Sequence, residues 1–364
     1  MTVLHQAASG LSYGPRDRAR HPERAVQRAL ERAGLDRANA VLLFLTPDYA
    51  ADPAPALRAA ARTANCLQVF GCTAPGLITE DEWLLDSPSA VALVLGGGYQ
   101  LRMPSQPGAD ELVLSLTTSN GLSAEWLDAP APRIGIVASD VYGHGNFAVW
   151  NGARTVGAQH AHAVVNGAQA AAGLARGVRA LTAPLAVADV NGYELRRLGN
   201  YPAFSVLVQS LPPRLRDAGA IPLHMLMYGV VFGEPTNAIR EGRFRLDPIV
   251  AANSREHSVT LSESLRPGDR LFWAIRDKLA AERDMIAAAE RARSALGREP
   301  AFALMFSSVM RGPSFYGNRD RDLETLRREF PGMPIAGCYG NGEIAPLGAG
   351  SHLHQHSSVF ALFR

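Results

Sequence analysis

Lysine is almost missing from this chain: of its 36 basic residues only Lys278 is a lysine, and the rest are arginines. Lys278 sits in "IRDKLAAERD", a helical pattern without glycine, so the Gly-Lys-Ser/Thr loop that cradles nucleotide phosphates is absent and triphosphate hydrolysis is excluded. The arginine excess is of the kind that GC-rich bacterial coding sequences produce. Cysteine is scarce as well. Cys66, Cys72 and Cys338 form no C-x-x-C pair and no disulfide framework, and an odd count without a secretory leader points to a reducing, cytoplasmic setting. Apolar runs such as "AVLLFL" are strand-sized, far short of the roughly 18–20 residues of a membrane span, and the N-terminus has no unbroken apolar stretch. A formal net charge of +2 gives no electrostatic claim on nucleic acid or membrane. The expected partners are a small molecule and another protein.

What is present reads as α/β. At 364 residues two cores are expected. "HPERAVQRALERAG" places Pro22 at a helix start, spaces Ala25, Ala29, Leu30 and Ala33 on one face, and stops at Gly34. "AVLLFLTP" (40–47) predicts a strand buried on both faces, "APALRAAARTA" a helix, "CLQVFGCT" a strand and "SAVALVLGG" (89–97) another. The last quarter repeats this order in "AFALMFSS", "DRDLETLRREF", "MPIAGCYGNGEI" and "SSVFALF". Two Gly-Cys loops at nearly equal spacing predict two pseudo-duplicated units with mixed β-sheets flanked by helices. Between them, "NFAVWNGARTVGAQ" and "RLFWAIRDKLAAERDMIAAAERARSALG" read as helices, and the domain boundary falls near Gly199–Tyr201, giving domains 1–199 and 200–364.

The loop "GCYGNGEI" carries the sharpest chemistry. Gly340 and Gly342 flank Asn341 and permit positive φ, so successive N–H groups can face one concavity suited to a carboxylate; a simple tight turn is the alternative. Arg311 follows the strand "FALMFSSVM". If that strand neighbours the loop, Arg311 can grip a carboxylate in two places while Glu343 receives an ammonium, a pair suited to an amino acid. The alternative is an interior Arg–Glu bridge that only fixes the loop. Arg311, Tyr339, Asn341 and Glu343 are therefore the predicted ligand-binding set. Cys72 and Cys338 have no histidine close in sequence, so they read as packing residues and no catalytic residue is assigned; a Cys-dependent enzyme is the rival reading. In "SHLHQH", His352, His354 and His356 alternate, and on a strand all three would share a face able to hold a metal or haem; a solvated strand entry is the alternative. His144, His160 and His162 stand as isolated candidates. "SDVYGHGNFAVWNGA" lacks a third glycine and a downstream acid, which excludes a dinucleotide site.

"LFLTP" with "VFGCTAPGLI" resembles the N-terminal FIST domain, and "NYPAFSVLVQSL", "FSSVMRG", "PIAGCYGNGEIAP" and "LHQHSSVFAL" resemble the C-terminal FIST domain in order and spacing. This chain departs from the pattern at Leu77, which stands where Glu343 stands in the second copy, at Ser308, where the family often has cysteine, and near "VVNGAQ", where a Gly-Gly pair is missing. The resemblance implies a sensory, signal-transduction protein that binds small ligands, amino acids among them, with haem-based nitric oxide sensing in some relatives. No cofactor is otherwise expected. With no kinase, cyclase or DNA-binding pattern in the chain, the bound state would pass to a separate downstream signalling protein.

Overall fold

The two Gly-Cys segments fold as the repeat predicts. The computed structural model describes residues 5–104, 107–217, 220–348 and 350–364. In a first copy, β1 (His5–Tyr13), α1 (His21–Ala33), β2 (Ala40–Leu45), α2 (Ala54–Ala64), β3 (Val69–Thr73), a hairpin of β4 (Gly76–Thr79) and β5 (Trp83–Leu85), and β6 (Ser89–Gly97) follow one another. The parallel pair β2–β3 has β6 antiparallel on its other side. No comparable repeat was expected next, yet a second copy follows at once: β7 (Gln100–Arg102), β8 (Val113–Thr118), a single turn α3 (Ala124–Leu127), β9 (Arg133–Ala138), a hairpin of β10 (Val149–Asn151) and β11 (Arg154–Thr155), and β12 (His160–Asn166).

A third copy opens with β13 (Ala170–Ala175) and is then interrupted. The interruption holds β14 (Val178–Ala180), β15 (Leu185–Asn191), β16 (Glu194–Leu198), β17 (Tyr201–Pro202), α4 (Ala203–Ser210), α5 (Pro213–Arg216), β18 (Leu226–Val231), β19 (Phe244–Asn253), β20 (Ser258–Leu261) and β21 (Arg270–Arg276). The chain then continues through α6 (Lys278–Leu296), β22 (Phe302–Ser308), α7 (Pro313–Tyr316), α8 (Arg321–Glu329), β23 (Ile335–Gly340), β24 (Glu343–Leu347), β25 (Gly350–His354) and β26 (Ser358–Phe363).

The pairing registers establish the triplication. Phe44 lies between Cys72 and Val91, Leu116 between Ile136 and Ala161, and Phe306 between Cys338 and Val359. All nine side chains enter one apolar core. Each copy also lends its hairpin to another copy's sheet. β4 lies on β23, β10 on β3 and β24 on β9, closing a ring of three exchanges. The glycine before each central residue is required by close approach: a Cβ on Gly71, Gly135 or Gly337 would sit 1.7 Å from the carbonyl oxygen of Leu43, Ser115 or Met305. Gly337→Ala or Gly135→Ala is expected to cost ~1–3 kcal/mol, the range of an overpacked core, measured by urea unfolding.

The chain divides into two compact units. One comprises residues up to Ala175 and from Asp284 onward, the other Arg176–Arg283. In the second, β21, β15, β16, β20, β19 and β18 close back on β21 as an antiparallel barrel around Trp273, Tyr228, Val187 and Leu195. The boundary expected near 199/200 therefore falls inside this unit, because Gly199–Asn200 is the turn that pairs β16 with β17. Two helix expectations are also corrected. "RLFWAI" is the barrel strand β21, buried along most of its length, and only the segment from Lys278 is helical. "NFAVWNGARTVGAQ" contains the β10–β11 hairpin, turned by Gly152 and Ala153, both at positive φ. Among the described residues no helix is long and apolar enough to cross a membrane.

Candidate functional site

The predicted ligand set is dispersed among separate partners. Arg311, 1% exposed, forms a two-point pair with Asp322, Nε donating to Oδ2 at 2.6 Å and Nη2 to Oδ1 at 3.1 Å, while Nη1 donates to the Ala175 carbonyl. Tyr316 adds a third donor to Asp322. Burial opposes the Arg311 charge, and Asp322 outweighs it, so its proton is held more tightly than usual. Tyr339 donates its hydroxyl to Asp320, which caps α8 by accepting from Asp322 N and Leu323 N. Burial and the neighbouring Asp322 push Asp320 up to about 6. These groups hold α7 and α8 to the end of β22, and side chains of this kind make a structural network.

Glu343 is anchored elsewhere. It is fully buried, its Oε2 accepts from Ser357 N at 3.0 Å and its Oε1 from Gly342 N at 3.2 Å. Burial pushes its carboxyl up to about 8, against the pull of those two N–H groups and of Arg311. Its place in the triplication is instructive: opposite Ile136 it occupies the position that Leu77 fills opposite Cys338 and Val149 opposite Cys72. The amides of the loop are already used, since Asn341 N donates to the Val137 carbonyl and Gly342 N to Glu343, so they do not form the open anion cradle the glycines suggested. Gly342 takes φ 122, whereas Gly340 serves close packing, a Cβ there falling 2.5 Å from Ile136 Cγ1. Asn341 Nδ2 donates to the Val141 carbonyl.

The three histidines of "SHLHQH" do not share one face. His352 and His354 lie in β25, but His356 follows the strand at φ 56. Among the described residues no group of three or more His, Cys, Asp and Glu is placed to hold a metal ion. Cys72 and Cys338 are both fully buried, and burial with the neighbouring Cys72 thiol pushes Cys338 well above the usual thiol range.

A different cluster appears where the middle copy departs from the other two. In the first copy α1 and α2 cover the outer sheet face through Leu43, Val69 and Ala92; in the third, α6 and α8 cover it through Met305, Ile335 and Phe360. The middle copy has no long helix, and its equivalent positions are Ser115, Arg133 and His162, with His160 two residues before. Here Trp126 of α3 lies 4.9 Å from the His162 ring and 5.9 Å from His160, and the Arg133 guanidinium stands 5.5 Å over Trp126. These side chains line a pocket of about 510 Å³ together with apolar Val113 and Ala131 and the exposed Glu125.

Arg133 is 4% exposed and has no carboxylate within ion-pair distance among the described residues. Its Nη1 donates to Ser115 Oγ at 3.3 Å and meets His162 Nδ1 at 3.4 Å, while its Nε is buried without a partner. Burial, unopposed by any acid, draws Arg133 below the ordinary arginine value. Burial also draws His162 down to about 4, helped by Arg133 and His160, so its ring is neutral at pH 7. Facing an arginine N–H and the Ser115 hydroxyl, Nδ1 must accept, which places the ring proton on Nε2. His162 Nε2 is itself buried and unpartnered. Two buried donors, one of them on a cationic group, thus stand without a hydrogen-bond partner among the described residues, on side chains that line this pocket. The only sequence sign of this site is the His-Ala-His alternation at 160–162, which puts both rings on one face of β12.

Comparison with known proteins gives the chain's relationships. It is 26% identical over 379 aligned positions to an uncharacterized protein of Mycobacterium tuberculosis, covering 97% of this chain and 98% of that one. It is 28% identical over 190 residues to an uncharacterized protein of Mycobacterium bovis and to another of Mycobacterium tuberculosis, covering 52% of this chain and 49% of each; the chain thus matches about half the length of those two relatives. Residues 203–346 match the model of the FIST C domain, from α4 through most of β24.

Proposed function

We propose that this protein is a small-ligand-binding sensory module whose ligand is a small carboxylate or amino acid, held by Arg133 in the middle copy and reported to a separate signalling protein. The match of residues 203–346 to the FIST C domain model supports the sensory part of this reading. The observation that carries the ligand part is the buried Arg133 side chain, which lines the pocket and whose Nε has no hydrogen-bond partner. A buried cation left unpaired is costly, and a ligand carboxylate is the group that would offset that cost. Binding is favoured over catalysis because both core thiols are fully buried and burial holds Cys338 far from ionisation.

The test is thermal unfolding at pH 7.5 against amino acids and aliphatic and aromatic carboxylates. A ligand present at 100 times its Kd should stabilise by ~2.7 kcal/mol and raise the melting temperature accordingly. Arg133→Met should abolish that shift. It should leave the empty protein as stable as before or more so, since no acid is deserted when this cation goes. A panel that shifts nothing in the parent protein would refute the proposal.

A further inference from the structure

We infer that the ligand of this pocket carries its carboxylate on a flat aromatic ring, an inference that rests on the carboxylate reading above. Three rings and a guanidinium are among the side chains that line the pocket. Trp126, His160 and His162 stand within 4.9–5.9 Å of one another, the two imidazoles tilted by only 34°, and Arg133 lies over the indole. Trp126 is not free to swing away, because its Nε1 donates to the Gly121 carbonyl at 3.2 Å. The remaining wall includes Val113 and Ala131, which offer no hydrogen bonds from their side chains. A wall of this composition rewards a π face: ring against ring and ring against guanidinium are both favourable, and a puckered aliphatic ring gains neither.

The polar atoms narrow the class further. Arg133 Nε is a buried donor suited to a carboxylate oxygen, and His162 Nε2, protonated by the tautomer argument, is a second donor that needs an acceptor. His160 Nδ1 is a third buried nitrogen without a partner. A benzoate-type ligand bearing one further oxygen, such as a hydroxybenzoate, would meet the cation, the ring wall and the second donor together. The first and third copies carry Val69 and Ile335 where Arg133 stands, and Ala92 and Phe360 where His162 stands, so the recognition chemistry belongs to the middle copy alone.

The decisive comparison uses two carboxylates of equal charge and similar size, benzoate and cyclohexanecarboxylate, titrated calorimetrically into the intact chain at pH 7.5, with 4-hydroxybenzoate and acetate alongside. Benzoate is expected to bind about fivefold to tenfold more tightly than cyclohexanecarboxylate, and 4-hydroxybenzoate more tightly still. Trp126→Leu should bring benzoate and cyclohexanecarboxylate to equal affinity, and Arg133→Met should remove both. Equal or reversed affinities in the parent protein would overturn the ring inference while leaving the carboxylate reading standing. A preference for benzoate that survives in Trp126→Leu would also overturn it. If none of the four carboxylates binds, the ring inference falls, and the carboxylate reading falls with it when the wider thermal-unfolding panel also shifts nothing.

Discussion

Arg311→Met is expected to lower unfolding stability by ~3–5 kcal/mol in the absence of any ligand, because it leaves the fully buried Asp322 carboxylate without its counter-ion. The pair is well made, with two guanidinium bonds and a hydroxyl from Tyr316, so its geometry offsets the desolvation of both charges. Removing only one partner exposes the whole desolvation cost of the other. The double variant Arg311→Met with Asp322→Leu should recover most of the loss, since an apolar pair of similar volume replaces the ions. Equilibrium urea unfolding of the four proteins in this cycle measures the coupling directly. A loss under 1 kcal/mol in the single variant would mean that the network does not hold α8 in place.

The second large effect is a pH dependence assigned to Glu343. Its carboxyl is raised to about 8, chiefly by burial, against an ordinary value of 4.5. The folded state therefore keeps a proton that the unfolded chain releases. The stability this provides is complete below pH 4.5 and is lost progressively as pH rises to about 8. Glu343→Gln has no proton to lose. The difference in unfolding free energy between parent and variant should thus drift by about 4 kcal/mol from pH 5 to pH 8, always against the parent as pH increases. Urea unfolding at pH 5, 6.5 and 8 supplies the slope. A constant difference across that range would show that Glu343 is ionised in the folded protein.

The parts of the fold that sequence could reveal are those whose local pattern matches their final environment. "AVLLFL", "FALMFSS" and the Gly-Cys strands are buried on both faces and read as strands without help from tertiary context. α1 carries its own start and stop signals. The middle copy escaped notice because its central pair is Gly135-Ile136 and not Gly-Cys, and because α3 is a single turn where the other copies have longer helices. "RLFWAI" runs directly into α6, and an apolar stretch continuous with a helical pattern cannot be told from helix by periodicity.

The site was less legible for a different reason. An arginine's partner is decided by tertiary structure: Arg311 takes Asp322 from the helix that follows it, although Glu343 sits on the more conspicuous loop. Arg133, one arginine among many, gave no sign in "APRIGIVASD" that it would be buried without an acid. Only the comparison of three copies in one chain makes Arg133 and His162 stand out, because two sister sheets show what an apolar, helix-covered version of the same face looks like.

The most direct measurement is a crystal structure of the protein with the carboxylate that raises its melting temperature most. The account predicts a carboxylate oxygen within about 2.7–3.1 Å of Arg133 Nε, with the ligand body against Trp126. A ligand bound at the 340–343 loop, or anywhere that leaves Arg133 Nε unpartnered, would contradict it.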